Sequence, residues 1–154
     1  MSGSRRIKLD EALSGVVALG FDTPPFIYFI ERDQKHLPVL REVFRRIDAG
    51  AIQGYSSVIT LTEVLTKPRA AGDVTMERAY AELLTGSRNF TLLSIDSRVA
   101  SNAADLRARY GLRTPDALQV AAGLNAGCQA LLTNDSRFRR VSELTIFVLD
   151  ELEA

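Results

Sequence analysis

The chain is short of several residues and features that would have pointed to common chemistries. It has one cysteine, Cys128, so no internal disulfide can form and a reducing compartment is expected. Beside the apolar run Ala130 to Leu132, that thiol reads as a small buried hydrophobe rather than a reactive group. The one histidine, His36, stands ahead of Leu37-Pro38 at a helix start and reads as a surface residue. Net charge is zero, with 19 basic and 19 acidic residues, so no global positive field draws the chain to nucleic acid or membrane. No apolar run approaches membrane-spanning length. Arg5, Arg6 and Lys8 are followed by no long apolar stretch, so no secretion signal is expected and the cytoplasm is the default compartment. No glycine-rich phosphate loop follows the first apolar run, which excludes P-loop and dinucleotide-binding folds.

What is present is an ordinary globular pattern. With 154 residues, 46% hydrophobic and 25% charged, the chain is long enough to bury a real core in one domain. Residues 1–14 are polar and are expected to be a flexible end, leaving 15–154 as a single domain. Short apolar strands are predicted at Val16–Phe21, Tyr55–Thr60, Phe90–Ile95, Gln129–Thr133 and Thr145–Leu149. Between them, apolar residues recur at helical spacing: Phe26 to Ile30, Val39 to Ile47, Leu61 to Leu65, Met76 to Leu84 and Val99 to Tyr110. Strands alternating with helices, each strand continuously apolar, predict a three-layer α/β/α domain with a mainly parallel sheet of about five strands.

The most telling helix is Arg113 to Gly127. Thr114 reads as its N-cap, Pro115 suits the first helical position and Gly127 is the stop. Gln119 and Asn125 are the only polar side chains between Asp116 and Gly127, so the helix is predicted to be buried. Asp116 thus lies in the first turn of a core helix. Taken alone, it is a carboxylate facing the positive end of the helix dipole.

Three further acids fall at the same kind of place. Asp22 follows the first strand, Asp135 follows the fourth, and Glu63 is expected in the first turn of the helix after the second. Function in an open parallel sheet collects outside the carboxyl ends of the strands, where all four could converge. Crowded carboxylates raise one another's pKa, and a cation would relieve them. Oxygen ligands without nearby Cys or His select Mg²⁺ or Mn²⁺, ions suited to phosphoryl chemistry. Read one at a time, each acid is equally a cap or turn residue.

Taken in order, these segments resemble a known family. They are Asp22-Thr23 after a first strand, Thr62-Glu63-Val64 after a second, Thr114-Pro115-Asp116-Ala117 opening a helix, and Leu132-Thr133-Asn134-Asp135 after a later strand. The set is similar to the PIN-domain family, and within it to the small VapC-type toxins of type II toxin–antitoxin pairs. The similarity runs from about Val16 to Leu149. It implies a metal-dependent ribonuclease in which Asp22, Glu63, Asp116 and Asp135 are catalytic and hold Mg²⁺ or Mn²⁺, leaving a 5′-phosphate and a 3′-hydroxyl. It also implies a homodimer and a cognate antitoxin that occupies the active groove. Thr23, Thr133 and Asn134 match positions beside the acids and are candidate substrate contacts. Arg113 and Arg137, with Lys67, Arg69, Arg139 and Arg140 further off, are candidates for RNA phosphates, though each is as readily a solvated surface residue. Tyr28, Phe29 and Tyr80 are candidate interface positions or else core. Pro24-Pro25 beside Asp22-Thr23 and the neutral net charge depart from the usual pattern.

Other readings fit less well. A phosphoaspartate phosphatase would need Asp-x-Asp where Asp22-Thr23-Pro24 stands, and a receiver domain a lysine where Asp150-Glu151 stands. A PIN-like nuclease of structured DNA would need added helices for which the chain has no room. The remaining alternative is a non-catalytic PIN-like RNA- or protein-binding module, whose mark would be a missing acid. None is missing.

Overall fold

A computed structural model describes residues 5–154. The chain runs β1 (Ile7–Lys8), α1 (Leu9–Ala12), β2 (Ala18–Phe21), α2 (Pro24–Ile30), α3 (Leu37–Asp48), β3 (Gln53–Ser57), α4 (Val58–Ala71) and α5 (Val74–Gly86). It continues through β4 (Phe90–Leu93), α6 (Ser97–Tyr110), α7 (Thr114–Asn125), β5 (Ala130–Thr133), β6 (Thr145–Val148) and β7 (Leu152–Glu153). Single 3₁₀ turns occupy Ser136–Arg140 and Leu149–Glu151.

Five strands form one sheet in the order β4-β3-β2-β5-β6, and every neighbouring pair is parallel. The central strands β2 and β5 pair in the register Leu19↔Ala130, Gly20↔Leu131 and Phe21↔Leu132. Strand β5 is buried at every residue, as a strand covered on both faces must be. One face carries Leu19, Phe21 and Leu132 against Phe26, Leu40, Val43 and Leu84 of α2, α3 and α5. Within it Phe21 stacks on Phe44 at 5.5 Å and meets Phe26 at 5.2 Å. The other face carries Leu131 against Val99, Leu106, Val120 and Ala121 of α6 and α7. The result is the three-layer α/β/α arrangement with a parallel five-stranded sheet. In β3, a Cβ on Gly54 would lie 2.8 Å from the Phe90 ring and 2.9 Å from Ile47, so only glycine lets the strand pass there.

Several boundaries differ from expectation, each for a local reason. Strand β3 ends at Ser57, whose hydroxyl accepts the Ile59 N–H and starts a helix. The β-branched run Val58-Ile59-Thr60 is therefore helical, and Glu63 sits in the second turn of α4 rather than the first. Helix α7 begins one residue early. Arg113 is the extended N-cap with φ −68° and ψ 154°, because its carbonyl accepts the first helical bond from Ala117 N. Thr114 and Pro115 are already helical, and Thr114 makes no capping bond.

The expected flexible end at 1–14 falls partly outside the described residues. Within them, β1 pairs in parallel with β7, while Leu9 and Leu13 are buried in the core. These two leucines sit among polar neighbours, and two-residue strands carry no periodicity to read. Tyr80 is also core, 3% exposed, and burial with a nearby Glu31 pushes its hydroxyl up to about 12. Tyr28 and Phe29 are half-buried. No helix among the described residues is long and apolar enough to cross a membrane.

Candidate active site

The carboxyl edge of the sheet gathers the acids through short polar links. Asp22 is the first residue beyond β2, and its N–H still donates to Leu132 O at 2.9 Å, which holds it against the end of β5. Asp22 is 7% exposed. The Thr133 hydroxyl donates to Asp22 Oδ2 at 2.8 Å and accepts the Asp135 N–H at 3.1 Å. One fully buried threonine thus ties the two strand-end acids together.

Burial pushes the Asp22 carboxyl from the ordinary 3.8 up to about 6. The bond from Thr133 and the Thr23 backbone oppose the rise, while the charges of Asp116 and Glu63 add to it. Asp22 is thus close enough to both acids to feel them, and among the described residues no cationic side chain answers it.

Thr23 N-caps α2 without a side-chain capping bond, because its hydroxyl is committed elsewhere. It donates to Glu63 Oε1 at 2.5 Å and lies 3.1 Å from Thr60 Oγ1. With its proton on Glu63, Thr23 must accept from Thr60. Thr60 in turn accepts from Gln119 Nε2 at 2.7 Å, and Gln119 Oε1 accepts from Ser57. The chain Ser57→Gln119→Thr60→Thr23→Glu63 therefore points every proton toward the carboxylate, an arrangement in which successive bonds polarise one another. Ser56 closes the floor, with its hydroxyl 2.9 Å from Phe21 O. No buried side-chain N or O among the described residues lacks a partner. In the sequence Gln119 stands out only as a polar exception on an apolar helix. That mismatch is the one available signal of a buried partner.

Asp116 and Asp135 are engaged differently. Arg113 Nε donates to Asp116 Oδ2 at 3.2 Å. Arg137 grips Asp135 through Nε at 3.0 Å and Nη2 at 2.6 Å, and so holds that carboxyl below its usual range. Arg137 also stands near enough to Asp116 for the two charges to interact. Both arginine side chains are mostly exposed, 70% and 62%, and exposed ion pairs are weak and readily exchanged. The Asn134 side chain bonds to none of the four acids. Its Oδ1 accepts Asp150 N at 3.0 Å and its Nδ2 reaches Tyr28 Oη at 3.4 Å.

As donors, Asp22, Glu63, Asp116 and Asp135 fit a hard divalent cation, being carboxylates around an uncompensated buried charge. Among the described residues, however, no three acidic, histidine or cysteine side chains already stand as a metal cage. Asp116 and Asp135 would have to leave their arginines.

The comparisons with known proteins agree with this fold. The family model described as PIN domain matches residues 21–144. Among solved structures, VapBC2 from Rickettsia felis bound to a DNA fragment from their promoter is similar with TM-score 0.71 at 14% identity, over 86% of this chain and 98% of that one. A toxin–antitoxin complex from Klebsiella pneumoniae is similar with TM-score 0.65 at 22% identity, over 86% and 97%. FitAcB from Neisseria gonorrhoeae is similar with TM-score 0.64 at 20% identity, over 85% and 97%. No curated protein sequence matches the chain.

Proposed function

The chain belongs to the PIN-domain family, and on that premise we propose that it is a metal-dependent endoribonuclease, the toxin of a toxin–antitoxin pair. The observation that carries this reading is Asp22: a buried carboxylate with no cationic partner among the described residues, pushed up in pKa by its surroundings and flanked by Asp116 and Glu63. A fold retains such a destabilising group where function needs it. The similarity to a toxin–antitoxin complex from Klebsiella pneumoniae supports an antitoxin partner.

Asp22, Glu63, Asp116 and Asp135 would hold one or two Mg²⁺ or Mn²⁺ ions. Such an ion, when bound, acidifies water and stabilises negative charge on phosphate oxygens. The chain's own residues prepare the place for it. Thr133 fixes Asp22 and the start of the Asp135 loop in one geometry. The hydroxyl chain ending at Thr23 keeps one Glu63 oxygen oriented while the other is free to ligate. Arg113 and Arg137 are exposed, weakly committed guanidiniums beside the acids, suited to bind phosphates of an RNA strand laid across the edge. Their release from Asp116 and Asp135 would bare those acids for metal. Thr133 and Asn134 serve as supports, and RNA phosphate contact falls to the arginines. A homodimer belongs to the same reading.

The test is cleavage of end-labelled single-stranded and structured RNAs with Mg²⁺ or Mn²⁺, with EDTA, and by Asp116→Asn. The reading expects cutting that needs metal and falls by about a hundredfold or more in the variant. Cutting equal in wild type and variant would refute assignment to this site. Metal binding without any cutting would favour a non-catalytic PIN-like RNA- or protein-binding module.

A further inference from the structure

We propose that His36 is a positioning residue for the Asn134–Asp135 loop, because it secures both groups that hold the Asn134 side chain. His36 reads from sequence as a surface residue, yet it is 8% exposed. Its Nδ1 lies 2.5 Å from Asp33 Oδ2 and its Nε2 lies 2.7 Å from Asp150 Oδ1. Its ring stacks on Tyr28 with centroids 4.4 Å apart and planes 14° apart. A buried imidazole bracketed by two carboxylates and stacked on a third side chain has no freedom to turn.

The two arms then converge. One runs from the His36 ring to Tyr28, whose hydroxyl meets Asn134 Nδ2 at 3.4 Å. The other runs from His36 Nε2 to Asp150, whose N–H donates to Asn134 Oδ1 at 3.0 Å. Lys35 adds a cation beside Asp150, at 3.1 Å, and the His36 hydrogen bond with this charge holds that carboxyl below its usual range. The same 3₁₀ turn, Leu149–Glu151, also pairs Glu151 with Arg139 at 2.8 Å, so it grips the acidic loop at both of its ends. Asn134 immediately precedes Asp135, and a shift of about 1 Å in such a support is enough to misplace a ligand.

The importance of Asp135 rests on the nuclease reading, but the mechanical link does not, so the test uses metal-free protein without RNA. Amide hydrogen exchange is followed in His36→Ala, Asn134→Ala and the double variant. The proposal expects His36→Ala to speed exchange at residues 135–137 by about tenfold while sheet amides keep their rates. It further expects the double variant to exchange no faster than Asn134→Ala alone, since His36 acts through Asn134. Unchanged exchange at 135–137, or accelerations that multiply in the double variant, would overturn it. Should His36→Ala loosen the whole chain, Tyr28→Phe removes one hydroxyl only and is expected to speed the same amides and no others; no effect there would also refute the link. Where RNA is cut, His36→Gln is expected to recover part of the kcat lost in His36→Ala at unchanged KM. Absence of cutting would count against the nuclease reading and leave the exchange result standing.

Discussion

Replacing Asp22 by asparagine is expected to make the metal-free protein more stable, although the same change should disable it. In the folded chain the Asp22 carboxyl titrates at about 6, against 3.8 ordinarily. A carboxyl raised on folding costs stability wherever the unfolded chain has already lost the proton. At about 1.4 kcal/mol per pKa unit, the cost at pH 7 is about 3 kcal/mol. It is absent below pH 3.8, grows between 3.8 and 6, and is complete above 6. The introduced amide would keep an acceptor for the Thr133 hydroxyl but bring two N–H groups into a nearly closed site, for a loss of about 1 kcal/mol. The net gain at pH 7 is then about 2 kcal/mol, or about 4–8 °C in Tm for a chain of this size. The assay is thermal or urea unfolding of wild type and Asp22→Asn in EDTA at pH 4, 5, 6 and 7. The variant should be slightly less stable than wild type at pH 4, where the cost of the amide outweighs that of the carboxyl, overtake it as Asp22 loses its proton, and reach the full gain at pH 7. Saturating Mg²⁺ should then narrow it, by stabilising wild type alone. An Asp22→Asn protein no more stable than wild type at pH 7, or a gap independent of pH, would refute the reasoning.

Three other changes test separate parts of the structure. Gln119→Leu keeps the volume but leaves the Ser57 hydroxyl proton without its acceptor, while Thr60 keeps Ser56 and Thr23; for one orphaned buried group, urea unfolding should show a loss of about 1–3 kcal/mol. Arg137→Ala should leave Tm nearly unchanged, because its pair with Asp135 is exposed, and should lower the slope of log affinity for RNA against log salt by about one. Leu9→Ala should cost about 2–5 kcal/mol in the same unfolding assay, since Leu9 is 1% exposed in the core; a cost near zero would mean that the segment before β2 is dispensable.

Much of this architecture is written locally. Alternating apolar strands and amphipathic helices announce a parallel sheet covered on both faces, and an acid within two residues of a strand end, as at Asp22 and Asp135, is placed at the carboxyl edge by connectivity alone. Glu63 and Asp116 follow from helix starts, and the errors there are of one turn or one residue. They arise where a single hydrogen bond, Ser57 to Ile59 N or Ala117 N to Arg113 O, decided the boundary against propensity.

The polar interior was far less legible. Gln119 meets Thr60 across 59 residues, and His36 meets Asp150 across 114. No pattern of period two or 3.6 specifies such partners, and a lone histidine or a lone glutamine looks the same whether it faces water or a carboxylate.

By itself, then, the sequence determined the layers, the order of the strands along the chain and the edge at which the acids emerge, because backbone propensity and apolar periodicity act within a few residues. Only the tertiary structure decided which acid is starved of water, which are held by arginines and which side chains brace the Asn134–Asp135 loop. Desolvation and long-range hydrogen bonds depend on what the rest of the chain packs around a group, so they take their values only once the layers have closed.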